Sequence, residues 1–593
     1  MNRPSRTDEP YEGEGYNQSP NPLSNDLTTN QDLNGTVNAR VLEPGEDGKA
    51  RPGTADITIL RPDDDWGKDS ITPRAGGASP AKSVELGHPG GEEVTAALLP
   101  TLHSRRSSHD DRDGPQMPPG IFGRIKSAVI KFGSFIGPGF MISVAYIDPG
   151  NYSTGVAAGA TYRFRLLFVV LLSNLFAIFL QSLCTKLGTV TGLNLAEACR
   201  AFLPRWLNYV LYAFAEIAII ATDIAEVIGF AIGLNLLIPA IPLVAGCAIS
   251  ILDVMIILFF YRPHGSMKGL RMFEFFVVGL VLAVVVCFCI QLSLIRETSV
   301  GEVFRGYLPS HAVVESQGLY QACGILGATV MPHSLYLGSG IVQARLREYD
   351  TKNDLLPPEV ERAGFSGDSI DKGYYVPSAK AIKHCLTTSI AELGFSLFTF
   401  ALFVNSAIVI VAGASIYGNK DAADADIFSI HKLLTDSISE GAGTVFALAL
   451  LLSGVSAGIV CTIAGQMVSE GALKWKMRPW LRRLVTRSIS VTPSIVIAGA
   501  IGREGVSDAL NASQVVLSVV LPFITAPLIY FTCRNKYMTV RGGAARLRNQ
   551  SDEEATGNTD GLVSMANSWY TAIFAVLVWV IIAAMNVANL VLL

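Results

Sequence analysis

Long apolar segments are the feature of this sequence that most restricts its fold. Eleven can be drawn, at approximately 132–157, 166–188, 207–236, 243–260, 272–294, 317–344, 385–413, 442–470, 485–500, 511–533 and 569–592. Their lengths lie near the ~20 residues that a helix needs to cross the hydrocarbon core of a bilayer. Only 16% of the residues are charged, against about 25% in soluble domains. We therefore predict an all-α polytopic membrane protein, with a transmembrane domain over residues 121–592.

The first 120 residues have a different composition. They contain 20 acidic and 12 basic residues and many Pro, Gly, Ser and Asn residues, and a segment of this kind buries too little apolar surface to offset the entropy of ordering. The segment has no apolar core typical of a signal peptide. We predict a disordered cytoplasmic tail over residues 1–120, which could bind ubiquitin-ligase or sorting partners through lysines such as Lys49, Lys68 and Lys82.

The loops between the apolar segments differ in charge. If the tail is cytoplasmic, most of the loop lysines and arginines, including Arg205, Arg271, Lys476 and Lys536, fall on the cytoplasmic side. Cytoplasmic loops of membrane proteins carry this excess of positive charge. The pattern predicts a cytoplasmic N-terminus and a C-terminus outside.

Two of the segments contain residues that interrupt a helix. The first contains D-P-G-N at 148–151, and the sixth contains M-P-H at 331–333. Proline removes a backbone donor, and unpaired backbone at bilayer depth persists only where it lines a cavity or is buried in protein. Two broken helices at matching positions of two five-helix halves indicate an inverted-repeat transporter with its site at the midplane. We expect repeats at about 132–294 and 317–533, with an additional eleventh helix.

The residues at these interruptions suggest a ligand for the site. Asp148 and Asn151 can direct a carboxylate and an amide oxygen to one point, Met331 offers a thioether, and Pro332 leaves the carbonyl of Ala328 without its usual donor. Oxygen ligands alone suit Mg²⁺ or Ca²⁺, whereas an added thioether favours transition metals. The set predicts a site for Mn²⁺, Fe²⁺ or similar ions.

Ionisable residues in the third segment form a second group. Glu216, Asp223 and Glu226 are spaced so that they share one face of a helix, and charged residues inside a membrane are functional candidates. With Asp148 and His333, whose type titrates near neutrality, they could relay protons, or they could form a buried polar network that only stabilises the bundle. Arg487 at the start of the ninth segment could balance their charge or could be a cytoplasmic anchor.

Gln514 and the cysteines are further residues of the apolar segments that could bind a partner or an ion. Gln514 lies in an apolar run of the tenth segment, where an amide needs a partner, so it could reach the ion or bond a neighbouring helix. The nine cysteines show no C-x-x-C spacing, which predicts neither a disulfide framework nor a zinc site.

The motifs D-P-G-N, G-A-T-V-M-P-H and A-G-Q-M-V-S-E-G together resemble those of the Nramp family of divalent metal transporters, in particular its fungal manganese and iron transporter branch. The resemblance covers about residues 125–592. It implies a leucine-transporter-type inverted repeat of five plus five helices with an eleventh helix. It also implies proton-coupled import of Mn²⁺ and Fe²⁺ into the cytoplasm.

The resemblance also assigns roles to residues. It places the metal ligands on Asp148, Asn151, Met331 and the Ala328 carbonyl, with the Ala145 carbonyl and Gln514 contributing in some conformations. It implies a proton route through Asp148, His333, Asp223, Glu226 and Glu216, and it matches Arg487 less securely. Val455 stands where many relatives have glutamine, a departure that concerns the packing or gating of the eighth helix.

The sequence leaves two alternative functions open. A sodium-coupled amino-acid transporter of the same fold would present free backbone amides to a carboxylate substrate, and a metal-sensing membrane receptor would bind the ion without moving it. Ser-His-Asp, H-E-x-x-H and Walker-type patterns are missing from the sequence, so we expect no enzyme. We expect no cofactor and no nucleic-acid partner: the partners would be divalent metal ions, protons and the lipid bilayer, in the plasma membrane or an endosomal or vacuolar membrane.

Overall fold

The structure is a computed structural model that describes residues 30–31, 37–38, 41–43, 51–53, 137–260, 267–295, 298–356, 374–418, 427–473, 479–548 and 562–592. The chain divides into two units, Met1–Arg112 and Asp113–Leu593. The predicted disorder of residues 1–120 falls mostly outside the described residues and stays a prediction. The tail lysines Lys49, Lys68 and Lys82 and the loop residue Lys476 also lie outside them.

In the N-terminal unit the described residues form two short antiparallel pairs of strands. β1 (Asn30–Gln31) pairs with β2 (Val37–Asn38), and β3 (Val41–Glu43) pairs with β4 (Arg51–Gly53).

The C-terminal unit is helical. Its first part contains α1 (Pro138–Val144), α2 (Pro149–Tyr162), α3 (Leu167–Thr191), α4 (Leu195–Phe202), α5 (Arg205–Leu237), α6 (Leu243–Phe260), α7 (Met267–Leu294) and α8 (Val300–Arg305). After a 3₁₀ turn at His311–Val314 come α9 (Ser316–Thr329), α10 (Pro332–Lys352), α11 (Ala379–Ser396), α12 (Leu402–Ser415), α13 (Ile427–Ser437), α14 (Glu440–Leu473), α15 (Pro479–Ala500), α16 (Arg503–Thr532) and α17 (Trp569–Leu592). A π-helical segment, Leu397–Ala401, joins α11 to α12 without a break.

The predicted membrane architecture is confirmed. Eight spans among the described residues are long and apolar enough to cross a membrane, and two shorter apolar helices lie within α6 and α15. With the interrupted helix α1–α2, these give five spans from α1 to α7, five from α9 to α16, and α17 as an eleventh. Because each set of five is odd, the two sets begin on opposite sides of the membrane, as a leucine-transporter-type inverted repeat requires.

Both predicted interruptions are present, and they have the same local form. α1 ends at Val144 and α2 begins at Pro149, while α9 ends at Thr329 and α10 begins at Pro332. In each case proline occupies the first helical position, where its missing N–H removes no helical hydrogen bond. The residue before each proline is extended, with φ −122° and ψ 164° at Asp148 and φ −69° and ψ 123° at Met331.

Short elements between the spans were absent from the sequence prediction. α4 is fixed by a capping box in which Asn194 and Glu197 each accept a hydrogen bond from the other's backbone N–H. β5 (Tyr374–Val376) pairs with β7 (Arg546–Arg548), and β6 (Thr539–Arg541) pairs with β8 (Leu562–Ser564), both antiparallel. The four strands lie in polar connections, where apolar periodicity gives no signal, and α4 is too short to be recognised as a membrane span.

The core lies between the interrupted helices and two long spans. α5 packs along α14 and contacts α2 and α10. Gly229 of α5 allows the approach of α2, since a Cβ at that position would overlap the ring of Pro149. Small residues permit such close contact between membrane helices, and this contact positions the first interruption against the acidic helix α5.

Candidate functional site

The first interruption is organised by the carboxylate of Asp148. This fully buried side chain caps α2: Oδ1 accepts from the backbone N–H of Asn151 at 3.0 Å, and Oδ2 accepts from that of Gly150 at 3.3 Å. An anion at a helix N-terminus is stabilised by these free N–H groups and by the helix dipole. The sequence therefore holds a negative charge within the bilayer segment by using it as a cap.

Two of the carbonyls that this interruption leaves without a helical donor accept hydrogen bonds from side chains. The Tyr146 carbonyl accepts from Asn405 Nδ2 at 3.1 Å, and the Ile147 carbonyl accepts from Ser453 Oγ at 2.8 Å. The carbonyl of Ala145 would normally accept from the residue four positions later, which is Pro149 and has no N–H. The same relation joins Ala328 to Pro332, so both predicted carbonyl ligands lose their helical donor to a proline.

Asn151 connects the two interruptions. Its Nδ2 donates to Asp148 Oδ1 at 2.5 Å and to the Tyr146 carbonyl at 3.2 Å within the first interruption. It also donates to the Ala328 carbonyl at 3.2 Å in the second. Three oxygens from two separate helices thus converge on one electropositive group, in a place that is buried.

The second interruption is neutral. Met331 is fully buried and precedes α10 without a side-chain cap. Its carbonyl accepts from Ser334 Oγ at 2.7 Å, and Ser334 Oγ lies 3.0 Å from Tyr146 Oη. Gln181 of α3 donates to Tyr146 Oη at 2.9 Å and to the Ser334 carbonyl at 2.9 Å. A hydrogen-bonded chain thus fixes Met331 relative to the turn that precedes Asp148.

Gln514 of α16 lies against the first interruption. A Cβ on Gly150 would overlap the Gln514 amide, so the two groups are in close contact. Nε2 donates to Ser513 Oγ at 3.1 Å, whereas the buried Oε1 has no hydrogen-bond partner among the described residues. A buried acceptor of this kind carries an energetic cost unless something else binds it, so this oxygen is available to a cation.

The acids of α5 divide into two groups. Asp223 and Glu226 are buried and face Arg487 of α15, which is 2% exposed, forms an ion pair with Asp223 and lies 3.7 Å from Glu226. Glu216 is only partly buried and interacts with the Tyr212 hydroxyl one turn earlier. Arg487 therefore lies in the interior as a counter-ion, and Asp148 is close enough to Glu226 for their charges to interact.

His333 lies one residue inside α10 and is fully buried. Its Nδ1 is 3.2 Å from Thr222 Oγ1, and Thr222 donates to the Ala218 carbonyl at 2.9 Å. This chain of contacts gives Nδ1 a fixed neighbour on α5 and places the imidazole beside the acidic residues of that helix.

Sequence reasoning missed the residues that satisfy the interrupted backbone. Tyr146, Gln181, Asn405 and Ser453 each lie in an apolar segment and make buried hydrogen bonds to one of the interruptions. A single amide or hydroxyl within an apolar run was the available signal, because such a group must find a buried partner. Which partner it finds depends on helix packing, and the sequence does not specify that.

The groups at the two interruptions are of the types that bind cations. They comprise one carboxylate, one amide, two carbonyls that lose their helical donor to a proline, and one thioether. Hard oxygen donors together with one sulfur donor suit a divalent transition metal better than an alkaline-earth ion.

Several known proteins are similar in sequence to this chain. Residues 139–541 match the family model described as Nramp, natural resistance-associated macrophage protein-like. The chain is 51% identical over 488 residues to the manganese transporter SMF1 of Saccharomyces cerevisiae, a match that covers 77% of this chain and 85% of that protein. It is 49% identical over 466 residues to the iron transporter SMF3 of the same yeast, covering 77% of this chain and 95% of that protein.

A solved transporter structure is also similar to this chain. The crystal structure of the Eremococcus coleocola manganese transporter, bound to an aromatic bis-isothiourea compound, superimposes with a TM-score of 0.61 at 29% identity. The match covers 79% of this chain and 87% of that one.

Proposed function

The chain belongs to the Nramp family of divalent metal transporters, and from this premise we propose that it is a proton-coupled secondary transporter that imports Mn²⁺ and Fe²⁺ into the cytoplasm. Its relatives are named as manganese and iron transporters. These names support a transporter over an enzyme, in agreement with the sequence.

One observation carries the proposal. Asn151 joins Asp148 of the first interruption to Ala328 of the second through a single amide group. The interruptions therefore meet at one point, which is what two half-sites for one ion require. The proposed ligands are Asp148, Asn151, Met331 and the Ala328 carbonyl, with the Ala145 carbonyl and Gln514 Oε1 contributing during the transport cycle.

Binding would require one local rearrangement. A metal ion accepts only lone pairs, so Asn151 must turn its amide to present Oδ1 in place of Nδ2. This rotation would release Asp148 Oδ1 and the Ala328 carbonyl from their present donor and free both for the ion. The backbone N–H groups of Gly150 and Asn151 would continue to hold the Asp148 carboxylate.

The proposed proton route begins at the same carboxylate. Asp148, His333, Glu226, Asp223 and Glu216 supply titratable groups, and Arg487 balances the charge of the buried pair on α5. A metal ion that binds Asp148 would displace its proton to the neighbouring groups of the route, so both ions enter through one residue and their fluxes are coupled. The transmembrane potential adds about 2.3 kcal/mol per charge per 100 mV.

The hydrogen bonds of Asp148 argue against the alternative of an amino-acid transporter. In such a protein the free N–H groups at a helix interruption bind the carboxylate of the substrate. Here the N–H groups of Gly150 and Asn151 already donate to the Asp148 carboxylate. A carboxylate substrate would meet an occupied cap and a like charge, which favours a cation.

The positive charge of the loops supports a cytoplasmic N-terminus and an external C-terminus. We place the protein in the plasma membrane or in an endosomal or vacuolar membrane, with the N-terminal tail available to ubiquitin-ligase or sorting partners.

Flux through the purified full chain in proteoliposomes tests the function. We expect Mn²⁺ uptake that increases when the outside is acidified and that acidifies the lumen as metal enters. Mn²⁺ uptake without any accompanying proton movement would contradict the coupling. Binding of Mn²⁺ without any flux would instead support a metal-sensing receptor.

A further inference from the structure

A second cluster of metal-binding groups lies beside the proposed transport site. Glu226 of α5, His333 of α10 and Cys461 of α14 each place one potential ligand atom within 4.8 Å of the others, and all three residues are buried. The three residues come from separate helices, so sequence spacing could not reveal the cluster, and the absence of C-x-x-C motifs does not bear on it.

We propose that these three residues form a second, inhibitory site for a thiophilic divalent cation of the Zn²⁺ class. Carboxylate, imidazole and thiolate are the three ligand types that Zn²⁺ takes in proteins, and a site with three protein ligands leaves a fourth position for water. Cys461 differs from Met331 because it can bind as an anion. This makes the site softer and more strongly binding than the proposed transport site.

The distances agree with such a site after a small contraction. At metal–ligand distances of about 2.0–2.3 Å, tetrahedral ligand atoms lie roughly 3.3–3.8 Å apart. The present upper limit of 4.8 Å therefore needs a movement of about 1 Å, which side-chain rotation can supply without moving the helices.

Each of the three groups has a ligand atom available. Glu226 Oε2 accepts no hydrogen bond from the described residues. The contact of His333 with Thr222 uses Nδ1, which leaves Nε2 to face a metal. The Cys461 thiol makes a long contact with the Ile219 carbonyl, at 3.8 Å, and also interacts with the Glu226 carboxyl group.

The local charge also suits a divalent cation. Arg487 forms an ion pair with Asp223 and lies 3.7 Å from Glu226, so with all three charged these residues carry one net negative charge. When the metal binds, the Cys461 thiol releases its proton, and the resulting thiolate raises the total to two negative charges. The nearby Asp148 carboxylate adds to this negative charge, so the surroundings favour a divalent cation.

The position of the cluster explains why occupancy would inhibit. α10 is one half of an interrupted helix, whereas α5 and α14 are continuous and pack along each other. A metal bound by all three would tie α10 to that pair and prevent relative movement. The inhibition rests on the proposed transport function, whereas binding does not.

Binding is tested by titrating the purified full chain with Cd²⁺ and recording the ultraviolet charge-transfer band of a thiolate–Cd²⁺ bond. We expect Cys461→Ser and Cys461→Ala to lower the Cd²⁺ affinity by at least about tenfold. Cys184→Ser, which changes another fully buried cysteine, should match the wild type. Asp148→Ala should keep the band because Asp148 is not one of the three ligands, although the loss of its charge near Glu226 should lower the Cd²⁺ affinity.

Several outcomes would overturn the second site. Wild-type Cd²⁺ binding in both Cys461 variants, or loss of the band in Cys184→Ser or Asp148→Ala, would each do so. This assay measures no transport, so a failure to detect Mn²⁺ flux would contradict the proposed function and leave the Cd²⁺ result intact.

Inhibition is tested by adding Zn²⁺ during Mn²⁺ uptake into proteoliposomes, with each variant normalised to its own uninhibited rate. Cys461→Ser should need about tenfold more Zn²⁺ for half-inhibition, and Cys184→Ser should need the wild-type amount. Equal Zn²⁺ sensitivity of Cys461→Ser and the wild type would overturn the inhibitory role.

Discussion

The two helix interruptions have the same backbone plan but different chemistry. Each places an extended residue before a proline that begins a new helix. At the first, Asp148 caps α2 with its own carboxylate. At the second, Met331 precedes α10 without a side-chain cap, and Ser334 binds its carbonyl instead.

This difference shows how one carboxylate can serve two purposes. Asp148 stabilises the start of α2 and also provides the negative charge of the proposed ion site, so folding and function use the same group. Met331 makes no side-chain cap, so its thioether is not needed to start α10. We infer that the first interruption determines whether a cation binds and that the second determines which cation binds.

The largest effect is expected from changing the carboxylate. Asp148→Asn and Asp148→Ala should both abolish Mn²⁺ uptake into proteoliposomes, because both remove the charge. Asparagine can still cap the helix, so only Asp148→Ala should also lose about 1 kcal/mol of stability, seen as a lower melting temperature in detergent. Substantial uptake by either variant would contradict the assigned role of the charge.

A nearly complete loss is expected when the first interruption is crowded. Gly150→Ala should severely reduce uptake because the new methyl group would overlap the Gln514 amide. Removing that amide in the double variant Gly150→Ala/Gln514→Ala should restore part of the activity, relative to Gly150→Ala alone, if steric overlap is the cause. A double variant no better than Gly150→Ala would show that the glycine acts in another way.

An intermediate effect is expected at the second interruption. Met331→Ala and Met331→Leu should raise the KM for Mn²⁺ by about tenfold or more and weaken discrimination against Ca²⁺, because both remove the sulfur. Leucine preserves most of the volume, so agreement between the two separates ligand loss from a cavity. If Met331→Leu still excludes Ca²⁺ as the wild type does, sulfur does not determine selectivity.

The smallest effect is expected from the link between the interruptions. Tyr146→Phe removes a hydroxyl that contacts Ser334 and Gln181 and should cost about 1 kcal/mol. We expect a measurable loss of melting temperature and a modest rise in the KM for Mn²⁺. Tyr209→Phe, at a tyrosine that is 57% exposed, should change neither, and an equal effect of both substitutions would remove the case for the link.

Much of this architecture could be predicted from sequence. Apolar length identified the membrane spans, and Pro149 and Pro332 marked both interruptions, because proline acts on its own backbone whatever surrounds it. The partners of the interrupted backbone could not be predicted. Asn405 and Ser453 reach the Tyr146 and Ile147 carbonyls only through the packing of α12 and α14 against the first interruption.

The position of Arg487 could not be predicted from the sequence either. At the start of an apolar segment, an arginine can lie in the cytoplasm or turn inward. Only the structure, in which it is 2% exposed beside Asp223, distinguishes the two. The sequence therefore predicts local features such as the helix interruptions, but it does not predict which distant residues pair with them.

We propose that the two interruptions together hold one transition-metal ion. Anomalous scattering at the manganese absorption edge, from crystals of the full chain grown with Mn²⁺, tests it most directly. We expect one strong peak in contact with the Asp148 carboxylate, Asn151 Oδ1, the Ala328 carbonyl and the Met331 sulfur, and no peak there in Asp148→Asn crystals. A strong peak elsewhere in the membrane domain, with none between the interruptions, would show that the ion binds at another site.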